Sequence, residues 1–147
     1  MLEALSTPRN RTLAFVFLVI CCASATAAAV VGISDNPPGI LLAFGEAAAL
    51  VLALVHPWRN ARQFRFLLYA SVLGFVIFGI LHNVFEALAG KTAGAGALHG
   101  LLQGLGAAAF LLAALICPAA ILVGAVGWIV MLIRKRRRPT QRQETDA

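Results

Sequence analysis

From Phe66 to Leu88 the chain runs for 23 residues in which the only strongly polar side chains are His82, Asn83 and Glu86. Crossing the ~30 Å hydrocarbon core of a bilayer takes about 20 mainly apolar residues in a helix. A run of this length therefore becomes either a membrane-crossing helix or a helix walled in by protein on all sides. Composition decides between them. Hydrophobic residues make up 61% of the chain and charged residues 12%, against about 45–50% and about 25% in average proteins. Apart from Glu46 and Glu86 the charges lie at the two ends and in short connections, so nothing supplies the polar surface of a soluble core. The sequence reads as an all-α polytopic membrane protein, a four-transmembrane-helix bundle forming one domain over residues 1–138.

The first apolar run covers 13–33, which is 21 residues. A cleaved signal peptide is the competing reading, with Arg9 and Arg11 as its basic start and Ala25-Thr26-Ala27 as its cleavage site. The run continues past Ala27 to Ile33, beyond the ~7–15 residues of a signal core, which favours a retained helix. Ser34 to Gly39 is a break, because Asp35 and Asn36 favour turns and the Pro37-Pro38 pair cannot continue the preceding helix. The second span, about 39–56, ends at Pro57. Trp58 to Arg65 is expected to be a basic loop with an interfacial tryptophan. The third span is 66–88, followed by a Gly/Ala-rich connection from Ala89 to Gly100. The fourth, 101–133, is too long for an upright span. It reads as one long helix kinked at Pro118 and projecting from the membrane. Residues 139–147 are polar and are expected to be a disordered cytoplasmic tail.

Orientation follows from the basic residues. With four spans, eleven of the twelve Lys and Arg residues fall on one side, and only Lys91 falls on the other. The positive-inside rule then places both termini in the cytoplasm of a multi-pass protein in the cytoplasmic (plasma) membrane. The net charge of +6 is accounted for by helix ends, with the lipid bilayer as partner and no nucleic acid implied. The run Arg134, Lys135, Arg136, Arg137 and Arg138 suits anionic lipid headgroups. Small residues recur every fourth position at Ser24, Ala28 and Gly32, at Gly39, Ala43 and Ala47, and at Gly96, Gly100 and Gly104. Such ridges let helices approach closely, within the chain or against a protein partner or a second copy. Cys21, Cys22 and Cys117 fit no metal or redox spacing and read as small apolar filler.

An ionisable side chain inside a span is costly and marks a candidate site. Glu46 lies seven residues after the start of span two, and His82 six residues before the end of span three. At 1.5 Å per residue both sit about 9–10 Å below the outer surface. Hairpin-linked helices are normally neighbours, so Glu46, His82, Asn83 and Glu86 are expected to share an outward-facing polar pocket. His99 and Gln103, one turn apart, are expected to join it from span four. The functional readings are a non-enzymatic structural or accessory subunit, a cation- or proton-binding or transport component centred on Glu46 and His82, and a membrane enzyme. Metal ligands, if any, come from Glu46, His82, Glu86 and His99, although no fixed ligand motif is present. An enzyme is the weakest reading because Tyr69 and Ser71, the only nucleophiles nearby, belong to the other half of span three.

Overall fold

A computed structural model describes residues 7–33, 36–92 and 96–145, with side chains through Arg136. All regular structure among the described residues is helical. The elements are α1 (Pro8–Val31), α2 (Pro37–Val55), α3 (Ala61–Lys91), α4 (Ala97–Leu111) and α5 (Cys117–Thr145). A π-helical turn, Leu112–Ile116, joins α4 to α5. Four helices are long and apolar enough to cross a membrane: α1, α2, α3 and the continuous stretch Ala97–Arg136.

The helix ends follow from local chemistry. Gly32 closes α1 with φ +84°, a conformation that a Cβ disfavours. Pro37 and Pro38 take the first positions of α2, where a missing N–H costs nothing. Ser34 and Asp35 of the expected turn lie outside the described residues. α3 begins at Ala61, inside the stretch expected to be a loop. The cause is a capping box. The Asn60 side chain accepts from the Arg62 N–H at 3.0 Å, and the Gln63 side chain accepts from the Asn60 N–H at 3.3 Å. At its far end α3 runs on to Lys91, and α4 starts at Ala97, so the connection is shorter than expected. The backbone of α5 continues to Thr145, where a polar tail without structure was expected. The Arg, Gln and Glu residues there are good helix formers.

In the π turn the Cys117 N–H donates to Leu112 O, five residues back. Pro118 follows immediately. Having no N–H, it cannot complete the regular ladder, and the wider turn falls where that ladder is interrupted.

The helices contact one another in the order α1, α2, α5 with its π turn, α3, and α4 packs on α3. Among the described residues α1 touches only α2. Gly39, Ala43 and Ala47 recur along one face of α2 and are buried, as is Ala28 of α1. A methyl group at Gly39 would collide with the Gly32 carbonyl. This hairpin thus closes through small residues. α3 and α5 approach as closely. A methyl at Gly124 would lie 3.0 Å from Leu68 N, and the Phe64 ring occupies the space beside Gly127. Phe64 in turn meets Trp58 edge-on, with ring centroids 5.6 Å apart. Val51, Val55, Phe64 and Ala120 form the buried apolar cluster at this end.

Candidate functional site

The polar side chains of the opposite end gather on the α3–α4 hairpin. His82, on α3, places Nδ1 3.0 Å from the Gly106 carbonyl of α4. His99, on α4, places Nδ1 3.0 Å from the Ala89 carbonyl of α3. A carbonyl only accepts, so in both rings Nδ1 carries the proton and donates. Each helix therefore gives one imidazole to the other's backbone. Gly106 stands where α4 passes beside α3, with room for an added methyl. A Cβ there would sit 3.5 Å from Phe85 Cβ and 3.9 Å from His82 Nδ1, so the helices close to near contact at this level. The His82 ring also leans on Phe110, with centroids 5.2 Å apart and planes at 50°.

Between the two helices lies an open groove of about 650 Å³, lined by His82, Glu86, His99, Gln103 and Phe110 together with small residues. With Nδ1 engaged in each ring, Nε2 is the nitrogen left for whatever enters. In His82 it stands 3.8 Å from Glu86 Oε2, one helical turn away. That is beyond hydrogen-bond length, and the Glu86 side chain is 70% exposed, so the pair contributes little to stability.

The structure thus brings together four of the six residues expected to share a pocket: His82, Glu86, His99 and Gln103. Asn83 is exposed and donates instead to the Gly79 carbonyl of its own helix at 2.8 Å. Glu46 is not part of the groove. Its helix, α2, brings no Cα within 8 Å of α3 among the described residues, because α5 and the π turn pack against both. Glu46 instead lies close enough to Cys21 of α1 for the two to interact electrostatically. The expected Glu46–His82 partnership is replaced by His82–Gly106. Among the described residues no three His, Cys, Asp or Glu side chains are grouped to hold an ion. Ser71 is buried and donates to the Leu67 carbonyl at 2.6 Å, away from the groove.

Comparison with protein-family models, with curated proteins and with solved structures finds no match to this chain. Function must be read from the geometry alone.

The role of His56 beyond a helix stop is visible only in the structure. Its Nε2 lies 3.0 Å from the Asn10 carbonyl of α1, and its Nδ1 lies 3.0 Å from the Ala53 carbonyl. It donates to both at once only as an imidazolium. Phe17 of α1 packs against the same ring at 6.0 Å. The helix stop at His56-Pro57 is therefore also the tie that fixes the start of α1. Of the basic run, Arg134, Lys135 and Arg136 are exposed on α5, and the side chains of Arg137 and Arg138 lie outside the described residues.

Proposed function

We propose that this protein is a small non-enzymatic integral membrane subunit, a structural or accessory component rather than a catalyst. Its four long helices cross the cytoplasmic membrane as a bundle with both termini in the cytoplasm. The apolar exposure of α1 supports this: Phe15 is 67% exposed and Val30 83%. Side chains of that kind suit lipid and not water. The basic residues at one end support the orientation. A bend at the π turn before Pro118 would let the 40-residue stretch fit beside shorter neighbours. A protein partner or a second copy finds room on α4, where space is open beside Gly100 and Gly104.

One observation carries the structural reading: all three histidines give a ring nitrogen to a backbone carbonyl of a neighbouring helix. Lipid tails are as apolar as the helices, so packing and interhelical hydrogen bonds must hold the helices together. A second reading, a cation- or proton-binding component, is favoured by the groove, where His82 Nε2 and the Glu86 carboxylate face each other.

Metal analysis of the protein purified in mild detergent, repeated on Glu86→Gln, separates the two. An accessory subunit carries no stoichiometric metal, and Glu86→Gln unfolds at the parent's temperature. One transition-metal ion per chain, lost in Glu86→Gln, would overturn the structural reading in favour of the second.

A further inference from the structure

At the basic end, two cavities adjoin and share Arg59, Met131 and Arg134 in their walls. One, of about 430 Å³, is the more polar of the two and adds Asn60 and Lys135. The other, of about 440 Å³, is apolar and runs along α5 past Val130, Val126 and Leu122, with Leu52 and Trp58 opposite. Leu122, Val126, Val130 and Arg134 follow one another every fourth residue, so they form a stripe on one face of α5. The three apolar members are 65%, 59% and 39% exposed. The stripe rises ~18 Å from Leu122 to Arg134, close to the ~15 Å of one hydrocarbon leaflet. No acidic side chain lines either cavity among the described residues.

A wall that is cationic at its mouth and apolar along its length matches one kind of molecule. Guanidinium groups bind phosphate oxygens through paired N–H donors. The apolar stripe gives a hydrocarbon chain a partner along its whole length. A soluble phosphate would use the mouth and leave the stripe empty. A zwitterionic lipid would fill the stripe and bring no net charge to the mouth. We propose that this groove holds one anionic phospholipid, its phosphate between Arg59 and Arg134 and one acyl chain along Val130, Val126 and Leu122. The site goes beyond the generic attraction of the basic run to a charged surface, because Arg59 reaches it from the connection before α3. It rests on the membrane reading above.

The test uses the full chain in mild detergent, titrated with phosphatidylglycerol, with phosphatidylcholine of the same chains, and with inorganic phosphate, the bound species counted by native mass spectrometry. One phosphatidylglycerol is retained in preference to phosphatidylcholine, and inorganic phosphate in excess does not displace it. Arg59→Gln with Arg134→Gln weakens its binding about thirtyfold. Val126→Trp, which fills the groove and keeps every charge, also removes it. Arg136→Gln, which loses a charge outside both cavities, changes it less than threefold. Equal retention of the two lipids, displacement by phosphate, or as large a loss from Arg136→Gln as from the double variant overturns the site. Alkaline extraction of membranes keeps the two claims separate. A chain released into the supernatant overturns the membrane reading and the lipid site together. A chain that stays in the pellet and shows no lipid preference overturns the lipid site alone.

Discussion

His82 and His99 stand on opposite helices of one hairpin, and each donates Nδ1 to a carbonyl of the other's helix at 3.0 Å. Both tie α3 to α4, and neither needs a particular side chain as its partner. Asn places an amide nitrogen the same number of bonds from Cα as Nδ1, so it can make the same bond. His82→Asn should therefore unfold within a degree or two of the parent in detergent. His82→Leu should lose about 0.6–2 kcal/mol, the range for hydrogen bonds between membrane helices. Equal losses for the two variants in thermal unfolding would show that the Gly106 bond is not what His82 supplies.

The α3–α5 crossing makes a stricter steric demand. At Gly124 an added Cβ meets the α3 backbone, 3.0 Å from Leu68 N and 3.2 Å from Phe64 O. Gly124→Val should destabilise by about 1–3 kcal/mol, the cost of overpacking a close interface. Gly100→Val, beside open space, should cost nothing and gain about 0.3 kcal/mol, because Val is a better helix former than Gly. Thermal melts of the two variants side by side check the difference.

The attachment of α1 depends on the hairpin alone. Gly39→Val should force α1 and α2 apart, because even one methyl at that position strikes the Gly32 carbonyl. His56→Leu should loosen the other end by removing the bond to Asn10 O. Hydrogen exchange should rise in α1 in both variants and stay unchanged in α3, which α1 does not touch. A rise spread evenly over all helices would contradict this packing order.

Orientation has its own check. Thr92, at the end of α3, should lie on the side away from the basic residues, and Thr7 on the same side as them. In a background without native cysteines, Thr92→Cys should react with an impermeant thiol reagent added to intact cells. Thr7→Cys should react only after permeabilisation. The reverse pattern would invert the topology.

The helices were legible because hydropathy acts locally. Each span's existence rests on its own residues, and only the ends moved. The extension of α3 back to Ala61 was written in Asn60 and Gln63, whose capping signature sits within a basic stretch that reads as loop. The groove was legible in part. His82 with Glu86, and His99 with Gln103, are spaced one turn apart and so had to share faces. Glu46 lies apart from His82 because α2 and α3, consecutive helices and so usually neighbours, are not packed together among the described residues. Gly124 and Gly127 instead let α3 close onto α5, and α5 separates α3 from α2. The partners of the histidines were illegible for another reason. Every residue carries a carbonyl, so nothing in the sequence marks Gly106, Ala89 or Asn10 as acceptors.

The central claim is that these imidazoles hold helices and do not ligate. Long-range ¹H–¹⁵N correlation of the histidine rings in detergent micelles reads it directly. His82 and His99 should both show a protonated Nδ1 and a bare Nε2, and neither pattern should move when zinc is added at one equivalent per chain. Protonated Nε2 with bare Nδ1, or a saturable shift of both rings with zinc, would contradict the account.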